Sequence, residues 1–141
     1  MGVERFGHLA LEERMSFFYI SDDTKLEGAD FGEDVAVLVA GGEIDYAASP
    51  QLRERIDERI DAGGRRLVLD LSMVSFIDST AIGVLVGAVM RLHELGEGSL
   101  LVVCTDENQR VLRIFEVAGI DSLIPLHHSR AGALSALAGA G

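Results

Sequence analysis

LVLDLSMVSFIDSTAIGVLVG, residues 67 to 87, is the stretch that decides the fold. Leu67, Val68 and Leu69 form an unbroken apolar run of the kind found where both faces of a sheet are covered, so Arg66 to Leu71 is expected to be a central strand. After a short link through Ser72 and Phe76 the pattern turns helical. A helix begins near Ser79 and runs to about Leu95, where Gly96 and Gly98 mark its exit. Ala81, Ile82, Val84, Leu85, Val86, Ala88, Val89 and Met90 make that helix apolar on nearly every side. They cannot all face one sheet at 3.6 residues per turn, so some must be covered by a neighbouring element or form an exposed docking face.

On either side of this stretch, short β-branched runs alternate with longer helical patterns, as expected for layered strands and helices. Upstream, Val35 to Ala40 reads as a strand ended by Gly41 and Gly42. Ser49 followed by Pro50 predicts a helix start, the serine capping free amides. Leu52, Ile56 and Ile60 then recur every fourth residue, and Gly63 and Gly64 end the helix. Ser16 to Asp22 is expected to pair as an edge strand with Val35 to Ala40 across a polar loop containing Gly28 and Gly32. Before it, Phe6, Leu9 and Leu11 suggest at most a short helical arm.

Downstream, Leu100 to Cys104 is the next strand. Asp106 and Gln109 have capping-box spacing and open a helix carrying Val111, Leu112, Ile114 and Phe115, which ends near Gly119. Leu123 to Leu126 reads as a short last strand and Ser129 to Ala138 as a last helix. The expected class is α/β: a mixed sheet of about five strands with about four helices, mainly on one side.

A chain of 141 residues, 48% hydrophobic, matches a single domain. Its longest apolar stretch, Ala81 to Met90, contains two glycines and is too short to span a bilayer. The start lacks the basic, apolar, small-residue order of a secretory signal, and Cys104 has no second cysteine to pair with; both point to the cytoplasm. The net charge of -11 weighs against nucleic acid as a ligand. It fits a neutral or basic partner surface, or simply solubility.

Asp78, Ser79 and Thr80 stand where the strand hands over to the apolar helix, so at least one of them should cap its free amides. A hydroxyl there is also placed to accept a phosphoryl group, because amides and helix dipole favour added negative charge. Capping alone would also explain a serine at this point.

The paired segments GGEIDYAASPQL, Gly41 to Leu52, and DLSMVSFIDSTAIGVLVG, Asp70 to Gly87, resemble the STAS domain of bacterial anti-sigma-factor antagonists. The similarity covers about Ser16 to Leu137. It implies a STAS fold over residues 15–138, preceded by an extension at 1–14 and followed by a short tail at 139–141. It also implies a partner switch without catalysis or cofactor. In that family the unmodified antagonist binds an ATP-using anti-sigma factor that is also a serine kinase, and this frees a sigma factor. The kinase phosphorylates the serine after the motif aspartate, here Ser79, and the complex dissociates until a metal-dependent serine phosphatase restores it. By position, Asp45 lies on the adjacent turn, Asp78 and Thr80 flank the acceptor, and Ala81, Ile82, Gly83 and Val86 belong to the contacting helix. Ala81 stands where many members have glycine, and its methyl group is expected to narrow which kinase can approach. A homodimer remains open, and so does Met15 as the native start, because Glu12 to Arg14 could be encoded by a purine-rich stretch resembling a ribosome-binding site.

Other constellations fail on spacing. No Gly-x-Ser-x-Gly elbow surrounds Ser79. His127 and His128 are adjacent and would point to opposite faces of a strand, without further metal ligands. The glycine pairs lack the spacing of a nucleotide cradle. The alternative from another functional class is a STAS-like subunit of a membrane transport or lipid-transport assembly, binding a membrane component constitutively and with no need of an acceptor serine beside Asp45.

Overall fold

The computed structural model describes residues 15–21 and 35–140. The N-terminal arm, the choice between Met1 and Met15, and the loop with Gly28 and Gly32 therefore lie outside the described residues. Within them, the sheet has five strands in the order β1-β2-β3-β4-β5. The unbroken run Leu67 to Leu69 lies in β3 (Arg66–Ile77), at the centre. β2 (Val35–Ile44) and β4 (Ser99–Val103) flank it in parallel, β5 (Leu126–His127) continues parallel beyond β4, and β1 (Phe17–Ser21) closes the other edge antiparallel to β2.

Side-chain alternation explains why β3 is apolar throughout. Leu67 and Leu69 point into one layer, with Ala36, Leu38, Leu100 and Val102. Three helices cover that layer: α1 (Ser49–Asp61) through Leu52, Ile56 and Ile60; α2 (Ser79–Glu94) through Leu85, Val89 and Leu92; and α3 (Gln109–Ala118) through Val111 and Phe115. Val68 points the other way and joins Val35, Val37, Val39, Leu101 and Val103 under Ala133, Leu134 and Leu137 of α4 (Arg130–Ala140). The helices are thus three on one side and one on the other. α4 runs to Ala140, past the Ala138 at which the sequence pattern ends it.

Several local expectations are corrected. Gly41 and Gly42 do not end β2; they carry it through two register shifts against β3, between Val39 and Gly41 and between Gly42 and Glu43. A glycine pair read as a stop can equally serve as a bulge, and Gly42 sits at φ +79, where a Cβ would lie 2.1 Å from the Met15 carbonyl oxygen. β3 likewise runs through the supposed link at Ser72 to Ile77. Ser49 is buried and does not cap α1; its hydroxyl donates to the Asp45 carbonyl at 2.7 Å. α3 is capped by Asn108 rather than Asp106: Asn108 Oδ1 accepts from Val111 N, while its Nδ2 donates to the Val74 carbonyl at 2.5 Å and ties the helix to β3. The last strand is only Leu126–His127.

One buried charge goes unannounced by the pattern. Asp70, on β3 under α4, accepts from Arg130 Nη2 at 2.9 Å and Nε at 3.2 Å and from the Ser72 amide at 2.9 Å. Arg130 also donates to Ser21 Oγ at 3.0 Å, so one guanidinium joins α4, β3 and β1. A buried carboxylate is tolerable only when paired and hydrogen-bonded in this way.

Candidate functional site

β2 and β3 end in step: Ile44 is opposite Ile77, and the Asp78 amide donates to the Ile44 carbonyl at 3.3 Å. The β2–α1 turn carrying Asp45 and the β3–α2 junction carrying Ser79 are therefore adjacent at the carboxyl edge of the sheet, where open α/β sheets usually present their sites.

At the junction, Asp78 is the cap. Its backbone is extended and its Oδ1 accepts from the Ala81 amide at 3.1 Å. This leaves Ser79, the first residue of α2, exposed, with Thr80 exposed beside it. Sequence alone could not say which of the three capped, and the geometry assigns that role to the aspartate. An exposed primary hydroxyl on the first turn of a sixteen-residue helix can receive a phosphoryl group next to unpaired amides.

The contacting-helix residues divide. Ala81 is fully buried and Ile82 lies in the core, both facing the sheet. The Ala81 methyl therefore does not stand in the way of a kinase approaching Ser79, and that expectation is withdrawn. Gly83 is exposed and Val86 half-buried. Ser79, Gly83, Gly87 and Met90, spaced four, four and three residues apart, form one outward stripe along α2. A Cβ added at Gly83 or Gly87 would meet nothing within 4 Å. Beside the stripe, a groove of about 490 Å³ runs between α1 and α2, lined by Arg53, Ile56, Asp57, Val84, Met90 and Arg91. Arg91 ties the two helices together there through Asp57, at 2.9 Å, and Asp61.

Asp45 acts on its own turn. Its Oδ1 accepts from the amides of Ala47 at 3.0 Å and Ala48 at 3.1 Å, and its carbonyl accepts from the Ser49 amide at 2.9 Å. This Asx turn holds Tyr46 out into solvent, 74% exposed, beside the junction. Sequence reasoning does not single out Tyr46; the available signal for a rigid turn presenting it is Asp45 just before it, with Ala47 and Ala48 leading into Ser49-Pro50.

Elsewhere, His128 Nδ1 meets Asp106 Oδ1 at 2.8 Å on the surface, and no group of three or more His, Cys, Asp or Glu side chains that could hold a metal occurs among the described residues. No described helix is long and apolar enough to cross a membrane. Cys104 is fully buried, and burial first, then the charges of Asp70 and Asp106, pushes its thiol up to about 11. The expected result is a native thiol that resists iodoacetamide at pH 8 and reacts after unfolding, because the thiolate is the nucleophile. The sign of the linked stability follows: a raised acid contributes fully below the ordinary value of 9.0 and progressively less as pH climbs towards about 11. Melting midpoints measured between those limits should fall more steeply for the native chain than for Cys104→Ser.

Comparison with known proteins agrees on the STAS fold, which solved structures also place in anion transporters such as SLC26A9, at 15% identity and a TM-score of 0.64 over 98% of this chain and 27% of that one. The sequence profile of the STAS domain matches residues 29–133. The anti-sigma-B factor antagonist of Listeria monocytogenes is 33% identical over 67% of this chain and 79% of its own length. The anti-sigma F factor antagonist of Paenibacillus polymyxa is 29% identical over 73% of this chain and 86% of its own. Among solved structures, an anti-sigma factor antagonist from Mycobacterium paratuberculosis superposes with a TM-score of 0.74 at 26% identity, covering 89% of this chain and 96% of that one.

Proposed function

This chain belongs to the STAS domain family, and from that membership we propose that it is a non-enzymatic anti-sigma-factor antagonist whose binding is switched at Ser79. The unmodified chain docks the α2 stripe and the Asp45 turn against an anti-sigma factor that is also an ATP-dependent serine kinase, in the cytoplasm, and so releases a sigma factor. The kinase then transfers the γ-phosphoryl of ATP to Ser79 Oγ. The new O–P bond forms as the bond from the γ-phosphorus to the β–γ bridging oxygen breaks, ADP leaves, and the hydroxyl proton passes to a base of the kinase. A serine phosphatase reverses the modification by hydrolysis.

The observation that carries this reading is the division of labour at the junction. Asp78 supplies the cap, so the exposed Ser79 hydroxyl is not needed by the fold, and it stands at the head of an uncharged stripe floored by glycine. The names of the curated relatives supply the class of partner.

The test is phosphorylation of the full chain by the cognate kinase with ATP, followed by intact-mass and peptide spectrometry. One phosphate is expected, on Ser79, and none on Ser79→Ala, which should still bind the unliganded kinase. Phosphate on another residue with Ser79 untouched would refute the switch while leaving the fold assignment intact.

A further inference from the structure

α4 covers only part of its face of the sheet. Beyond it, towards the carboxyl ends of β2 and β3, the register puts Phe17 and Tyr19, opposite Gly41 and Val39, on the α4 side, together with Met73, also opposite Gly41. Phe76 alternates with the core residue Ile77 and faces the same way. The rings of Phe17 and Tyr19 stack at 6.2 Å and 10°. The far end of the Phe17 ring lies over Gly41, where a Cβ would come within 2.0 Å of Cζ. These four side chains remain 40%, 47%, 50% and 37% exposed in the order Phe17, Tyr19, Met73, Phe76. None of the four is charged, while Glu43, paired with Phe76, shares their face of the sheet.

We propose that a second copy of this chain covers this patch, in a two-fold dimer where α4 of each copy lies across the exposed sheet face of the other. Three features favour a second copy. The outward residues of α4, namely Ala131, Ser135, Ala136 and Ala138, are small and uncharged, so large exposed side chains of another copy can approach the helix backbone closely. Each chain carries a net charge of -11, so close approach of two copies is least opposed where few charges meet, and Glu43 is the one carboxylate paired with a described residue of the patch. The area also suffices. At about 200 Å² for a large side chain, the four exposed portions leave about 350 Å² per patch. Two patches and the two helix faces on them bury about 1,400 Å², within the range of specific interfaces. The arrangement is isologous, so it closes at two copies. It also leaves the Ser79 stripe open, because α2 lies on the opposite layer.

The experiment is sedimentation velocity on the full chain over a range of concentrations and salt. A reversible dimer is expected, strengthened by salt because screening weakens repulsion between two acidic chains. Tyr19→Glu, in the patch, and Ala136→Glu, on α4, should each raise the dissociation constant about tenfold or more by placing a charge in an apolar contact. Both should keep the circular dichroism and melting midpoint of the parent under monomeric conditions, which separates loss of contact from loss of fold. A chain that stays monomeric at high concentration and high salt overturns the proposal. So does a dimer that ignores either substitution. A monomer that dimerises only after residues 1–14 are removed would assign the patch to the chain's own leading segment. A monomeric parent that loses its anti-sigma partner on Tyr19→Glu would assign it to that partner, and either result also overturns the proposal.

Discussion

Phosphorylated at Ser79, the protein is expected to bind its anti-sigma partner between about thirtyfold and a few thousandfold more weakly while melting at nearly the same temperature. The two effects differ because they act on different surfaces. For the fold, Ser79 is exposed on the first turn of α2 and Asp78 already caps the helix. A negative charge at that position gains roughly 0.3 to 1 kcal/mol from the helix dipole. Proximity to Asp78 and Asp45 offsets part of this, so the net change is small. For binding, a phosphate brings about -1.5 to -2 charges. Covered by a partner that offers it no cation, it costs on the order of 2 to 5 kcal/mol, which corresponds to the stated range of affinity.

Ser79→Asp carries a single charge and a shorter reach, so it should fall at the weak end of that range. Ser79→Ala should bind within about threefold of the parent, since an exposed hydroxyl contributes little. Calorimetric titration of the anti-sigma factor with all four forms, alongside their melting curves, measures both effects. Equal affinity of the phosphorylated and unmodified forms would end the switch mechanism. A large drop in melting temperature on phosphorylation would mean that it acts through the fold instead.

What could be read from sequence divides along the line between local and tertiary causes. The apolar run Leu67 to Leu69 and the four-residue recurrence of Leu52, Ile56 and Ile60 are local periodicities, and β3 and α1 follow from them. The start of α2 at Ser79 is legible for the same reason, since Asp-Ser-Thr ahead of an apolar helix is itself a local signal. The errors fall where a residue's role is set by a distant contact. Gly41 and Gly42 look like a strand end until Phe17 and Met15 are seen lying against them. Ser49 looks like a cap until Asp45 organises the turn and takes its hydroxyl. Asp106 and Asn108 are equally good caps by type, and Asn108 is the one that also reaches the Val74 carbonyl. Asp70 looks like an ordinary polar residue in a strand until Arg130, sixty positions away, closes on it. An apolar helix such as α2 does not reveal by pattern which side faces inward, and packing against the sheet buries Ala81, whose methyl group is expected from sequence to narrow the kinase's approach.

Gly83→Ala and Gly87→Ala should make the protein more stable and bind its partner less well, a combination no purely structural role would give. Glycine inside a helix costs roughly 0.8 to 1 kcal/mol relative to alanine. Glycine is retained at such positions when a neighbour leaves no room for a Cβ, yet at both positions a Cβ meets nothing within 4 Å. Nothing among the described residues of this chain fills the space above either glycine, so a partner docked on the stripe would meet bare backbone there. Each substitution should raise stability by about 0.8 to 1 kcal/mol in chemical denaturation. Against a partner packed closely on the bare backbone, each added methyl group overfills the contact at a cost of about 1 to 3 kcal/mol, or about fivefold to 150-fold in affinity. The effect at Gly83 should exceed that at Gly87, because Gly83 is one turn from Ser79 and exposed, whereas Gly87 is half-buried beside the groove between α1 and α2. Denaturation curves and titrations on the same two variants decide the matter: greater stability with unchanged affinity would remove the glycine stripe from the interface and leave docking to the Asp45 turn and Tyr46.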